Sequence, residues 1–274
     1  MAAVTMRLDH RPPMDLAATL AFLGRRAIPG VETYEDGRYT RLLPTPGGTA
    51  RITLAAAADR ALSCRVELAG TGDLDAVVAR VRHMLDLDAD PSVIDARLRA
   101  DPVLAPLVAA RPGLRSPGAA DGFEMAIRAI VGQQISVRGA RTILGRIAAE
   151  HGAGGLFPRP AQLAAIDPAS LPMPRARAAT VLAVAGACAS GQLSLQPHTD
   201  GEREHAALLA LPGIGPWTAN YIRMRATGDR DVLLATDLGV RTSAQALGVD
   251  LTGGRADWAP YRSYATHHLW AAGH

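Results

Sequence analysis

The order of local patterns along this chain predicts an α+β N-terminal antiparallel sheet domain, followed by a mostly α-helical part. Three observations carry that expectation. Strand-like runs are confined to roughly the first ninety residues. Helical periodicity dominates after Pro91. Proline then punctuates the connections, at Pro112, Pro117, Pro158, Pro160, Pro168, Pro172 and Pro174. The expected division is residues 1–90 and 91–274, the second part made of two helical subdomains with a hairpin at 209–221.

Taken in order, Leu16 to Arg26 reads as an amphipathic helix. Strand-like segments follow around Tyr34, Tyr39-Thr40-Arg41-Leu42, Arg51-Ile52-Thr53-Leu54 and Cys64-Arg65-Val66-Glu67-Leu68, separated by the turn signals Asp36-Gly37 and Gly47-Gly48. Leu74, Val77, Val78, Val81 and Leu85 then fall at helical spacing. Beyond Pro91 the same period appears in Phe123, Ile127, Ile130 and Val131, and again in Ile143, Leu144 and Ile147.

Composition narrows the function classes. The chain has 274 residues, 48% of them hydrophobic, and no apolar run long enough for a bilayer, so a soluble, cytoplasmic protein without membrane contact is expected. No signal peptide is visible. A net charge of +3 permits a polyanionic partner without requiring one. All 29 basic residues are arginine and none is lysine. The two cysteines, Cys64 and Cys188, lie far apart, too few for an iron–sulfur cluster or a four-thiolate zinc module, and read as small core residues.

The richest segment is Leu211-Pro212-Gly213-Ile214-Gly215-Pro216-Trp217-Thr218-Ala219-Asn220, followed by Asp237 in Thr236-Asp237-Leu238-Gly239-Val240-Arg241. Gly213 and Gly215 can adopt backbone conformations closed to other residues and leave no side chain to keep an anion away. A helix running on from Thr218 would add the positive end of its dipole. The same glycines could simply cap a helix. Asp237 reads two ways as well. It can N-cap a helix running toward Leu247, or stand as a functional carboxylate, and the two roles are compatible. Asp231, after Gly228-Asp229-Arg230, is expected in a turn. His267-His268 point about 100° apart on a helix without acidic or thiolate neighbours and read as structural. His205 is expected on a solvated helix face.

The hairpin and its following Asp, together with Phe123-Glu124-Met125-Ala126-Ile127-Arg128-Ala129-Ile130-Val131-Gly132-Gln133-Gln134-Ile135-Ser136-Val137, Ala109-Ala110-Arg111-Pro112-Gly113-Leu114-Arg115 and Trp258-Ala259-Pro260-Tyr261-Arg262-Ser263-Tyr264, resemble the helix-hairpin-helix DNA glycosylases, most closely the AlkA-type DNA-3-methyladenine glycosylases II. The match covers nearly the whole chain. It implies a monomeric bacterial enzyme of base excision repair that flips alkylated bases, chiefly 3-methyladenine, out of double-stranded DNA and hydrolyses the N-glycosidic bond, leaving an abasic site.

By that resemblance Asp237 is the catalytic carboxylate, stabilising a cationic sugar as glycoside hydrolysis does. Trp217, Tyr221, Trp270 and Phe22 form the base pocket, where aromatic faces attract a cationic base by about 1 kcal/mol or more. Each could equally be a core aromatic. Gly213, Ile214, Gly215 and Thr218 contact the DNA backbone. Gln134 takes the wedge position, where an apolar residue is found in the best-known relative, or is an exposed helix-end residue. Leu238 stands where close relatives have Tyr. The carbonyls of Leu209, Leu211 and Ile214 are the expected ligands of a sodium or potassium ion, and no other cofactor is required. Strand-cutting relatives form a Schiff base through a lysine placed where this chain has Trp217, so no lyase activity is expected unless the N-terminal amine serves. A non-catalytic hairpin protein that only binds DNA, and a glycosylase for deaminated purines, are the alternatives.

Overall fold

The computed structural model describes residues 2–57, 61–71, 73–197 and 199–273. The N-terminal part is a five-stranded antiparallel sheet: β1 (Ala2–Leu8), β2 (Glu32–Glu35), β3 (Arg38–Thr45), β4 (Gly48–Ala56) and β5 (Leu62–Gly70), in the order β1-β5-β4-β3-β2. The four expected strands are present. β1 was not expected, because Ala2-Ala3-Val4-Thr5-Met6-Arg7-Leu8 is mostly exposed on an edge and lacks a clean alternation. Two helices flank the sheet. α1 (Leu16–Gly24) starts at Asp15, whose carboxylate accepts the Ala18 amide at 2.8 Å. α2 (Leu74–Leu85) matches the periodicity and is capped by Asp73. Leu20, Leu43, Ile52, Leu54, Val66, Val81 and Leu85 are buried in the core between them.

The remainder is helical: α3 (Pro91–Arg99), α4 (Leu104–Ala110), α5 (Gly122–Val131), α6 (Val137–His151), α7 (Pro160–Ala164), α8 (Arg175–Ala189), α9 (Gly201–Leu209), α10 (Pro216–Ile222), α11 (Leu238–Ala246) and α12 (Arg262–Ala272). These pack around two separate cores. Ile127, Ile130, Ile147, Val181, Val184, Leu208 and Ile222 fill one. Trp258, Tyr264, Leu269, Leu98, Leu104 and Val240 fill the other. Among the described residues no helix is long and apolar enough to cross a membrane.

A buried charge cluster fastens the sheet to α5. Arg41 on β3 binds Glu32 at 3.1 Å and Glu124 at 2.8 Å, and Arg128 binds the same two carboxylates at 2.5 and 2.6 Å. The Tyr39 hydroxyl also donates to Glu32. Burial alone would raise the Glu124 carboxyl, but Arg41 and Arg128 overcome it and hold that group at about 2. Removing either member would strand a buried charge.

Candidate active site

Three cores meet at one cluster of rings, and each contributes an aromatic ring to it. Phe22 rests on the sheet core, Trp270 on the second helical core, and Tyr221 on both helical cores. All three, with Trp217, are half-buried and so remain reachable from solvent. Trp217 and Tyr221 are four residues apart on α10 and stack at 5.4 Å with their planes 19° apart. Tyr221 meets Trp270 at 6.2 Å, Trp270 meets His267 edge-on at 5.1 Å, and His267 meets Phe22 at 5.9 Å. Arg225 closes the circuit, its guanidinium 5.2 Å from the Phe22 ring centre and 5.9 Å from that of Tyr221. Trp217, Tyr221, Arg225 and Arg26 also line a cleft of about 990 Å³ that opens to solvent.

Asp237 sits on the rim of this circuit. It caps α11, accepting the Val240 amide on Oδ1 at 3.1 Å, so the capping expectation holds. It also accepts the Trp270 indole N–H on Oδ1 at 2.8 Å and the Trp217 indole N–H on Oδ2 at 3.0 Å. Two rings of the cluster therefore also aim the carboxylate, and one of them, Trp217, lines the cleft. Three of its roughly four acceptor positions are used, which leaves one for a water or a sugar. Gly239 leaves room for this pair: a side chain there would come within 3.2 Å of Trp270 and 3.3 Å of Asp237.

The hairpin joins α9 to α10. Gly213 has φ of +82° and is exposed, and a side chain there would overlap the Thr180 hydroxyl at 2.1 Å, so glycine is required on both counts. Gly215 differs from expectation. Its φ of −93° is open to any residue, and it needs no glycine for conformation. Ile214 is buried in the helical core and the Thr218 side chain is also buried, so neither side chain faces outward, and only their backbone can meet a ligand. The Thr218 hydroxyl instead accepts the Gln133 side-chain amide at 2.7 Å, tying the hairpin to the turn after α5. The Leu211 carbonyl accepts the Ile214 amide at 3.2 Å, while Leu209 is 41% exposed.

In that turn Gln134 is exposed with φ of +60°, a conformation uncommon outside glycine, and it projects beside the exposed Ile135 and Val137. Ser136 ends the turn by capping α6. Leu238, directly after Asp237, is 78% exposed.

Several side chains behave differently from the sequence reading. Asp231 is more than a turn residue: it takes a bidentate pair from Arg262 at 2.7 Å, anchoring α12. His205 is half-buried with an unpartnered Nε2, not solvated. His267 and His268, read as structural, are buried, and His267 touches two of the clustered rings. Arg26 and Arg225 were missed altogether. Each lies four residues after a pocket aromatic, Phe22 and Tyr221, and that spacing was the available signal.

Residues 5–121 match the family model described as the AlkA N-terminal domain. The chain is 42% identical to the probable bifunctional transcriptional activator/DNA repair enzyme AlkA of Mycobacterium tuberculosis, over 97% of this chain; it spans only 56% of that relative's length. It is 35% identical to DNA-3-methyladenine glycosylase 2 of Escherichia coli, over 96% of this chain and 95% of that protein. The structure is similar to a 3-methyladenine DNA-glycosylase from Archaeoglobus fulgidus, with a TM-score of 0.82, 20% identity and coverage of 98% of this chain and 97% of the other.

Proposed function

Since the chain belongs to the AlkA family of DNA-3-methyladenine glycosylases, we propose that it is a monofunctional DNA glycosylase that hydrolyses alkylated bases, 3-methyladenine foremost, from double-stranded DNA. The observation that carries this reading is Asp237 held by two indole N–H groups of the ring cluster, one of them from Trp217, which lines the cleft. A base alkylated on a ring nitrogen already carries positive charge and leaves without protonation. As the bond from C1′ to the base breaks, its electron pair neutralises the base and positive charge grows on the sugar. The Asp237 carboxylate stabilises that charge, and its remaining acceptor position orients the attacking water, whose oxygen bonds to C1′ and whose proton passes to the carboxylate.

Flipping brings the base against Trp217, Tyr221, Trp270 and Phe22. Gln134, projecting from its turn, fills the gap left in the stack and can hydrogen-bond the orphaned partner base. The hairpin backbone from Gly213 to Thr218 grips a phosphate through amides, without sequence preference. The carbonyls of Leu209, Leu211 and Ile214 would hold a sodium or potassium ion there. They fit, since the Leu211 carbonyl keeps a free lone pair after bonding Ile214; no chemical step depends on the ion. With no lysine in the sequence, a lysine Schiff base and the strand cleavage it leads to are unavailable.

The decisive test is free-base release from methylated duplex DNA by wild type and Asp237→Asn, with binding to abasic DNA measured alongside. Loss of release with retained binding supports the reading. Tight binding without release by wild type would make the protein a DNA-binding module instead.

A further inference from the structure

Two neighbouring glutamines behave differently in the turn between α5 and α6. Gln134 is exposed and projects outward. Gln133 is half-buried and turns inward, its side-chain amide donating to the Thr218 hydroxyl at 2.7 Å. Thr218 is 3% exposed and belongs to α10, which Ala219 and Ile222 root in the helical core. The backbone bonds of the turn itself are long. The Gln133 amide reaches the Ile130 carbonyl at 3.4 Å and the Ile135 amide reaches the Gly132 carbonyl at 3.5 Å, beyond the usual range of about 2.7–3.2 Å. Among the described residues, the bond to Thr218 is therefore the shortest that residues 133–135 make. Gln134 also holds φ of +60°, a conformation that persists in such a residue only when its surroundings enforce it.

The bond from Gln133 lands on a helix with other duties. Trp217, one position before Thr218, donates to Asp237 Oδ2 at 3.0 Å. Successive helix positions point about 100° apart, so α10 turns Trp217 to the carboxylate and Thr218 to the turn. The turn and the start of α6 also line the cleft, through Gly132, Ile135 and Val137, as Trp217 and Tyr221 do from α10. An exposed side chain can take the place of a base in a stacked duplex only if its own backbone does not yield, because the stack pushes back on it as hard as it pushes. A turn held by two long backbone bonds would yield unless it were braced.

We propose that Gln133 is a positioning residue of base extrusion: it braces the turn against α10, so that Gln134 keeps its place in the base stack while the hairpin holds the phosphate and Trp217 holds the carboxylate. This rests on the glycosylase reading and adds to it a link between the wedge and the element that carries the other two groups. Gln133 acts through Gln134. Without the bond to Thr218, Gln134 keeps its chemistry and loses its footing, and the free energy of DNA binding goes into displacing the turn instead of unstacking the base. The loss falls on a base that must be unpaired and unstacked, and spares one that is already free of a partner.

The test uses an oligonucleotide with a single adenine, methylated and annealed so that this adenine is either paired with thymine or left in a bulge, and follows 3-methyladenine release in single turnover at saturating protein. Gln133→Leu is expected to slow release from the paired duplex by roughly tenfold, the scale of one hydrogen bond, and to slow release from the bulge by much less. Thr218→Val removes the same bond from its other end and should shift the paired-to-bulged ratio in the same way. The double variant should be no slower than the slower single one, since only one bond is lost. Gln133→Glu should recover most of the paired rate, because the Thr218 hydroxyl can turn to donate to a carboxylate. A merely structural role would lower both substrates together with the folded fraction and leave their ratio unchanged. An unchanged ratio in Gln133→Leu, or single effects that multiply in the double variant, would overturn the brace while leaving the glycosylase reading intact. Failure of wild type to release 3-methyladenine from either substrate would overturn the glycosylase reading and the brace with it.

Discussion

The clamp between sheet and α5 and the cleft beside it use the same residue types to opposite ends. In the clamp, two arginines and two glutamates cancel, every charge meets an opposite charge within 3.1 Å, and Tyr39 adds a further bond. In the cleft, Arg26 and Arg225 form no ion pair among the described residues, although Glu32 and Glu124 also line it, and Asp237, at the edge of the ring cluster, is held by neutral indoles and an amide. The two regions touch, since Arg128 also donates to the Arg26 carbonyl at 2.9 Å. A self-satisfied cluster stabilises the fold and has nothing left to offer a ligand. An incomplete one gives up stability and keeps donors and acceptors for a substrate.

That contrast breaks most sharply in the clamp. Glu124→Gln leaves Arg41 and Arg128 sharing a single carboxylate and should cost about 3–5 kcal/mol, read as a lower midpoint in urea unfolding. Base release by the folded fraction should survive. Asp237→Asn should do the reverse, cutting release by about 10² to 10³ while the melting temperature moves little, because asparagine can still cap α11. Trp270→Phe sharpens the comparison within the cleft. It keeps a ring but removes the N–H to Oδ1, and a loss of roughly tenfold in kcat with unchanged binding to abasic DNA would assign the indole to aiming the carboxylate. Gly213→Ala should weaken binding to every DNA alike by straining the hairpin, at about 1–3 kcal/mol of stability.

Acid separates the regions more gently. Burial, with Arg111 and Arg99 nearby, holds His268 at about 4, against 6.5 when free. The unfolded chain therefore binds the proton first, and the stability that the neutral ring contributes is complete above pH 6.5 and lost as pH falls toward 4. Glu124, held at about 2 against 4.5, contributes above pH 4.5 and loses its contribution only between there and 2. A stability profile that stays flat from pH 7 to 5 and falls only below 4.5 would show that His268 carries none of the acid sensitivity.

Much of the architecture was legible in local pattern. The helix over Leu74–Leu85 emerged with its periodic ends, the turn signal Asp36-Gly37 sits between β2 and β3, and Gly47-Gly48 leads from the turn after β3 into the start of β4. β1 was invisible because an edge strand exposed along most of its length needs no alternation. Asp237, Trp217, Tyr221, Trp270 and Phe22 were all named through the family resemblance, and the structure brings them together. Their bonds were not legible: Trp217 and Trp270 lie 20 and 33 residues from Asp237 along the chain, and nothing local says that their N–H groups converge on it.

By itself the sequence determined the succession of sheet and helices, the glycine at position 213, the absence of any lysine amine and the residue types available to the cleft. These depend on backbone conformation and side-chain chemistry, which act within a few residues. Only the tertiary structure decided which arginines were neutralised and which were left bare. Net charge is a sum over the chain, whereas the cost of a charge depends on burial and on the nearest opposite charge. Arg128 and Arg225 both belong to the helical part; Arg128 meets two glutamates across the sheet interface, whereas Arg225, among the described residues, meets two carbonyls, a hydroxyl and two aromatic rings.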